Sequence, residues 1–357
     1  MSKRAALVSL VVVAFLLVGR ATSGQTLTVD DVLASSNAHF PGVLASLAER
    51  RGADGAVLEA DGQFDLVFTA DGFSRTAGFY DGTMLTGGVR QGLLPLSGDF
   101  YVDYRLSDGT FPIYEDINYT NDRGELKVGV LFSLLRDRQI DSRRFGLTDS
   151  RLALQEADLD LLLTRIGVQQ RALIAYWRWV ITGYELEVYE NLLQIALDRE
   201  AGLEEQVSSG ARAEIFLTEN MLNITNRRRF ATAAARNFQV ATNVLSLYYR
   251  DSEGRSLLPE REMLPPAQSV GTSEDFSANE AVSVPDALAR RPELRLLSTA
   301  IERARNRVEL AENQLKPRVD LNIEVSNDYG SIAEGGISRD SMDTLLGVSF
   351  SVPLQQR

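Results

Sequence analysis

Few residues of this sequence could carry catalysis or bind a metal. The chain of 357 residues has no cysteine and a single histidine, His39, which excludes disulfides, thiolate nucleophiles and the usual zinc ligand sets. His39 stands beside Phe40-Pro41, where a helix is expected to break, so a surface position explains it without a functional role. Asp and Glu are abundant on helical segments, where a solvated face accounts for them. We predict no enzyme activity, no cofactor and no metal site.

Charge and the N-terminal segment restrict the cellular role. The net charge of -12 argues against a nucleic-acid partner, because binding to phosphates needs a basic surface. Lys3 and Arg4 precede an apolar run over residues 5–18, and Ala21-Thr22-Ser23 supplies small residues for cleavage. This pattern is typical of a signal peptide. We therefore predict a signal peptide over residues 1–23 and an exported mature protein.

Two long helices dominate the central part of the sequence. Residues 137–207 contain no proline, and their apolar residues recur at steps of three, four or seven, which predicts one helix of about 70 residues and about 105 Å. After "SSGAR" the same spacing resumes and predicts a second helix of roughly 35 residues that folds back on the first. The segment alone is also compatible with an ordinary soluble antiparallel coiled coil.

Four short segments alternate apolar residues with polar or small ones. Alternation of period two predicts β-strands with one apolar and one polar face, as in a transmembrane barrel wall or a half-buried soluble sheet. A Gly-, Tyr- and Asp-rich stretch, residues 80–124, separates the first two segments and predicts a long loop with some strand of its own. The positions predicted to face lipid are Phe64, Leu66, Phe68, Val128, Val130, Phe132, Val319, Leu321, Ile323, Val348 and Phe350.

The sequence contains an internal repeat. "FDLVF" at 64–68 recurs as "VDLNI" at 319–323, and "GVLFSL" at 129–134 recurs as "GVSFSV" at 347–352. Each copy has the order helix, strand, loop, strand, but only the first is followed by a helical hairpin. We predict a first repeat over 24–251, a linker over 252–282 and an incomplete second repeat over 283–357, and expect that the sequence is truncated before a second hairpin.

Several stretches together carry a family resemblance. They are "LTVDDVLASSNAHFPGVL" near the mature start, "ALIAYWRWVITGYELEVYENLLQIA" in the long helix, "QVSSGARAEIFLTENMLNITNRRR" across the helix turn, "ALARRPELRLLSTAIERARNRVELAENQLKPRVDLNIEV" and "GVSFSVPLQQR". In order and spacing the sequence resembles the TolC-type outer membrane factors, the exit ducts of bacterial efflux pumps and type I secretion systems.

The resemblance implies a fold that is mainly α with transmembrane β-strands. Each protomer of a homotrimer would supply four strands to one twelve-stranded barrel in outer membrane lipid. The long antiparallel hairpin would form an α-barrel segment in the periplasm, where it docks on a periplasmic adaptor protein and an inner-membrane pump. Such a duct exports small molecules or proteins passively, without catalysis.

The turn between the two long helices is the predicted adaptor-docking site. Family members commonly have Val-Gly-Leu here, whereas this chain has Ser209, Gly210 and Ala211. The glycine is kept and both apolar neighbours are replaced, so the apolar part of the contact is in question. The alternative function, left open by the residues, is a soluble periplasmic coiled-coil interaction protein similar to an adaptor.

Overall fold

The computed structural model describes residues 26–94, 97–266, 283–332, 341–352 and 354. The predicted signal peptide lies outside the described residues, as does most of the predicted linker. The chain divides into two compact units. Of the described residues, the first unit contains 26–40 and 168–266, and the second contains those within 41–167 and 283–354.

The elements alternate between helices and strands of one sheet. The helices are α1 (Val29–His39), α2 (Pro41–Gly62), α3 (Ser142–Ser208), α4 (Ile215–Leu245), α5 (Val284–Arg290) and α6 (Pro292–Gln314). The strands are β1 (Val67–Ser74), β2 (Thr83–Leu93), β3 (Gly98–Asp108), β4 (Glu125–Ser133), β5 (Arg318–Asp328) and β6 (Asp343–Ser351). Between β3 and β4, Ile113–Asn118 forms a short 3-10 segment with a kink at Glu115.

The helix pairs α1–α2 and α5–α6 begin and break in the same way. The Thr28 hydroxyl accepts a hydrogen bond from the Asp31 N–H, and the Ser283 hydroxyl accepts one from the Asp286 N–H, so each pair starts at a side-chain cap. Each first helix stops before a proline, at Pro41 and at Pro292, because the residue before a proline is driven into an extended conformation. The break predicted beside His39 is confirmed.

In the first unit, α4 runs antiparallel to the part of α3 that follows Val168. The Asn220 side chain donates to the Ala196 carbonyl at 3.2 Å, the Tyr189 ring stacks on Phe230, and the Trp179 ring stacks on Phe238. Residue numbers fall along α3 as they rise along α4, which is the arrangement of a hairpin. The 67 residues of α3 correspond to about 100 Å of helix, close to the predicted length.

The apolar residues of α3 lie on two surfaces of the helix, one buried within this chain and one exposed. Trp179 and Val180 are fully buried, together with Leu245 of α4. Other members of the pattern that predicted α3 remain exposed within this chain: Ile166, Leu173, Trp177, Val188 and Ile195. The helix is therefore apolar on more than the face that meets α4.

The second unit contains a six-stranded antiparallel sheet in the order β1-β2-β3-β4-β5-β6. The sequence predicted four strands, and this number is wrong. The missed strands, β2 and β3, both lie in the stretch interpreted mainly as a loop, where frequent Gly and Asp residues weaken the strand signal. Strand β4 of the first predicted repeat pairs directly with strand β5 of the second.

An arginine fastens α6 to α3 in the second unit. The Arg303 guanidinium donates to both carboxylate oxygens of Asp149, at 2.9 and 2.8 Å, and a third nitrogen contacts Glu156. All three side chains are mostly buried. The hydrogen bonds from Arg303 lower the pKa of Asp149. A bidentate pair of this kind fixes orientation as well as distance.

Replacing Arg303 with methionine should lower the free energy of unfolding by about 2 kcal/mol, because three charge-assisted hydrogen bonds are lost and two carboxylates are left unpaired. Thermal denaturation followed by circular dichroism in detergent measures the change. Because the folded pKa of Asp149 is depressed, its stabilisation is present above about pH 4 and is lost as the pH falls through the folded pKa. The difference between wild type and variant should shrink in that range.

The matched control is Arg305→Met, an exposed arginine two residues along the same helix. It should change stability little. Equal destabilisation by both substitutions would show that Arg303 acts only as a helix-forming residue.

Candidate channel wall and helical turn

The sheet has one continuous apolar face, because the strand register places apolar residues opposite one another. In one row, Val130 lies opposite Phe100 and Ile323, and Ile323 lies opposite Leu346. Nine of the positions predicted to face lipid fall on this side of the sheet, which we call the apolar face: Phe68, Val128, Val130, Phe132, Val319, Leu321, Ile323, Val348 and Phe350.

The strands that sequence reasoning missed extend the same face. Leu85 and Val89 of β2 and Phe100, Val102 and Leu106 of β3 continue its rows. Their alternation was visible in "FYVDYRL", where every second residue is apolar. The outer strands are the least covered: Phe68 is 71% exposed and Val348 is 67% exposed. Within this chain, the apolar face is therefore most exposed to solvent at the two edge strands, β1 and β6.

Phe64 and Leu66 do not belong to a strand. They lie between α2 and β1, where the Phe64 N–H bonds the Asp61 carbonyl and the Asp65 N–H bonds the Gly62 carbonyl. These local turns occupy the backbone groups that a sheet ladder would need. The Phe64 ring instead lies under the guanidinium of Arg143. Both residues therefore belong to the turn that connects α2 to β1, and not to the sheet.

The opposite side of the sheet, which we call the polar face, carries a network of charged and hydroxyl groups. The Tyr101 hydroxyl donates to Glu324 at 2.7 Å, and Lys127 forms an ion pair with the same carboxylate at 3.0 Å. Arg105 pairs with Glu125 across the neighbouring strands. At the other end of the strands, the hydroxyl of Ser133 and the guanidinium of Arg318 both donate to Asp320. This face suits contact with water rather than with lipid.

A second arginine fixes the corner where the sheet meets α3. The Arg144 side chain donates to the Asp141 carboxylate at 2.8 Å, to the Ser97 hydroxyl at 2.7 Å and to the Asp137 carbonyl at 2.6 Å. Ser97 and Asp137 both have positive φ, a conformation that non-glycine residues rarely adopt. The bonds to Arg144 hold these two turns together, so the start of α3 is tied to the turn between β2 and β3.

The predicted docking turn closes the helical hairpin with a Schellman motif. The Ala211 N–H bonds the Gln206 carbonyl at 2.8 Å, and the Gly210 N–H bonds the Val207 carbonyl at 2.9 Å. Gly210 has a φ of 75°, which costs glycine little because it lacks a Cβ atom. Ser209, Gly210 and Ala211 are all exposed.

The turn has exposed apolar neighbours that the sequence analysis did not include in the docking site. Ile215 is 58% exposed, and Phe216 is 38% exposed beneath the guanidinium of Arg212. They begin α4 directly after the turn. Their signal was the apolar pair in "AEIFLTEN", which lies a few residues after the position where the family motif has its leucine.

The part of the chain that the structure describes contains no group of three or more His, Cys, Asp or Glu residues placed to hold a metal ion. No helix among the described residues combines the length and the apolar composition needed to cross a membrane.

Comparison with solved structures identifies the architecture. The outer membrane protein VceC from Vibrio cholerae aligns over 92% of this chain with a TM-score of 0.54 and 14% sequence identity. The chain has the fold of the TolC-type outer membrane factors. A membrane protein from Pseudomonas aeruginosa gives a TM-score of 0.53 at 14% identity over 92% of this chain, and the CmeC outer membrane channel of Campylobacter jejuni gives 0.51 at 13% identity over 92%.

The chain is shorter than these proteins and distant from them in sequence. It covers 68% of the VceC chain, 66% of the Pseudomonas protein and 61% of CmeC. No protein-family model matches the sequence, and no curated protein matches it. The resemblance read from the sequence is thus supported at the level of the fold.

Two glycine substitutions should have opposite effects on hairpin stability. Gly210→Ala places a Cβ atom in the left-handed region and should destabilise the turn by about 1 kcal/mol, although no atom lies within 4 Å of the new group. Gly202→Ala makes the same chemical change inside α3, also in open space, and should stabilise the helix by about 1 kcal/mol. Hydrogen exchange of the amides on both sides of the turn measures both effects. The same sign for both would contradict the left-handed turn.

Proposed function

We propose that this protein is a protomer of an outer membrane channel that serves as the exit duct of an export system. The observation that carries the proposal is the sheet with one apolar and one polar face, found in a chain with the fold of known outer membrane channels. In lipid, every backbone polar group must be paired, so a spanning sheet has to close on itself. The apolar face would then contact lipid, and the polar face would enclose water.

Closure requires more than one copy of the chain. Within the described residues, β1 pairs with β2 alone and β6 with β5 alone, which leaves two edges for strands of neighbouring copies. With an even number of strands per copy, the meeting edges of successive copies run antiparallel. Three copies of six strands give eighteen strands, rather than the twelve implied by the family resemblance. We therefore propose a homotrimer with a wider barrel.

The helices give independent support for association between copies. Exposed apolar residues on α3, including Trp177, Val188 and Ile195, remain uncovered by α4. Apolar patches of this kind usually mark contacts with other proteins. In the proposed trimer, helices of neighbouring copies would cover these residues and form the wall of a duct in the periplasm.

We propose that the turn of the hairpin contacts a periplasmic adaptor protein, which links the duct to an inner-membrane pump. The exposed Ile215 and Phe216 supply the apolar surface that Ser209 and Ala211 lack. The role of the duct is then passive, and the exported substrate, whether a small molecule or a protein, is selected by the pump.

Neighbouring residues of β6 provide a test of the membrane-spanning wall. Val348 is on the apolar face and Ser349 is on the polar face, and both are exposed. Val348→Arg should reduce insertion into the outer membrane strongly, since arginine on the lipid side of a barrel costs about 2–4 kcal/mol near the midplane. Ser349→Arg should insert normally. The two variants are expressed from the complete reading frame and measured by membrane fractionation and native mass spectrometry in detergent.

The expected result is inserted trimers for Ser349→Arg and a large loss of them for Val348→Arg. Equal insertion of both variants would contradict the assignment of faces. If the wild-type protein fractionates as a soluble periplasmic protein without detergent, the chain is a coiled-coil interaction protein instead of a channel.

The adaptor contact is tested with the double substitution of Ile215 and Phe216 by serine. It should lower pump-dependent export of a fluorescent dye and cross-linking to the adaptor, while trimer abundance stays unchanged. The control is Leu222→Ser, which removes a side chain that is 65% exposed but lies about 9 Å farther along α4 from Phe216. Unchanged export in the double variant would limit the turn to a structural role.

A further inference from the structure

The loop between β3 and β4 folds back over the polar face of the sheet. Helices α2, α3 and α6 connect to the sheet at one end of its strands, and this loop, residues 109–124, leaves from the opposite end. Its side chains reach the polar face. Ile117 lines a cavity of about 350 Å³ together with Lys127 and Glu324, and Asn118 lines a smaller one with Thr86 and Asp103.

The base of the loop is held by aromatic packing. The Phe111 ring meets Phe73, a polar-face residue of β1, at 6.2 Å and Tyr119 at 5.1 Å, both edge to face. The Tyr119 hydroxyl accepts a hydrogen bond from the Phe111 N–H and donates one to the Phe111 carbonyl. A Cβ atom at Gly82 would lie only 2.6 Å from the Phe111 ring. The Phe111 ring therefore packs closely against the β1–β2 hairpin, and Tyr119 packs against Phe111.

Polar contacts hold the rest of the loop. Glu115 forms an ion pair with Arg75 at 2.5 Å. The hydroxyl of Ser107 accepts from the Thr120 N–H at 2.8 Å, and the hydroxyl of Thr120 accepts from the Ser107 N–H at 3.1 Å. These contacts connect the loop to the end of β1 and to β3, so its position over the polar face is specified at several points.

This anchored loop exposes three large apolar side chains. Ile113 is 92% exposed, Tyr114 is 83% exposed and Ile117 is 73% exposed; we call these three residues the apolar tip. They lie in the short 3-10 segment Ile113–Asn118, which has a kink at Glu115, above a face rich in charges. Large apolar side chains fixed above a charged, hydrated surface do not contribute to the core of this chain, so their position calls for a different explanation.

We propose that the β3–β4 loop forms a constriction of the channel, with its apolar tip projecting into the water-filled space that the polar face encloses. This inference rests on the proposed channel function. Apolar side chains in a narrow pore hinder the passage of water and ions because they cannot replace lost hydration. The loop would thus limit the size and polarity of solutes that pass the end of the duct farthest from the helices.

The absence of native cysteine allows a test without background labelling. Ile117→Cys is introduced into the complete protein, and single channels are recorded in planar lipid bilayers before and after a bulky, membrane-impermeant methanethiosulfonate reagent. Labelling should lower the conductance of the same channel by at least about half, because the added group narrows the constriction. Each channel serves as its own reference, so altered folding of the variant does not affect the comparison.

The matched control is Phe79→Cys. Phe79 is 89% exposed in the turn between β1 and β2 at the same end of the sheet, but its only ring contact among the described residues is with Tyr80. Its labelling should leave the conductance unchanged. A second variant, with Ile113, Tyr114 and Ile117 all replaced by serine, should raise conductance about twofold or more.

The outcomes separate the two proposals. Failure of the unmodified protein to conduct would overturn the channel function itself. A conducting protein whose Ile117→Cys variant is unaffected by the reagent, or cannot be labelled, would overturn the constriction and leave the channel function standing.

Discussion

The register of the six-stranded sheet is the constraint on which the rest of the structure depends. Side chains alternate between faces with a period of two, so a slip of one residue between β4 and β5 would move Ile323 and Val325 to the polar side and Asn322 and Glu324 to the apolar side. The same slip would break the ion pair between Lys127 and Glu324, because the two side chains would then lie on opposite faces. Apolar burial and charge pairing thus specify the same alignment.

The same alignment determines where the helices attach. Because β1, β4 and β5 join α2, α3 and α6 at one end of the sheet, Arg144 can tie the corner at α3 to the β2–β3 turn. Arg303 then holds α6 against α3 through Asp149. Both arginines use the planar guanidinium to bind several acceptors at once, which lysine cannot do with the same geometry.

Much of this architecture could be predicted from periodicity. The long helix and the apolar positions of β4, β5 and β6 follow from residue spacing alone, since the structural periods of 3.6 and 2 are local properties. The break before Pro41 follows from the proline itself, which drives the preceding residue into an extended conformation. The β2 and β3 strands could not be assigned with equal certainty. Four glycines within "TMLTGGVRQGLLPLSG" weaken the local strand preference, and pairing with β1 and β4 supplies what the local sequence lacks.

The site was less accessible to sequence reasoning than the fold. The glycine of the hairpin turn could be recognised because a left-handed turn demands it, but the exposure of Ile215 and Phe216 depends on how α4 packs. The position of the β3–β4 loop depends on contacts between residues distant in sequence, such as Arg75 with Glu115. No local pattern encodes such contacts.

The additional strands and the loop are physically connected. The diameter of a closed barrel grows with the number of strands, so the two strands that the sequence did not predict would widen the proposed channel. The loop that covers the polar face begins at the end of β3, one of these two strands. In the proposed channel, the chain segment that would widen the pore would therefore also carry the apolar tip that would narrow it.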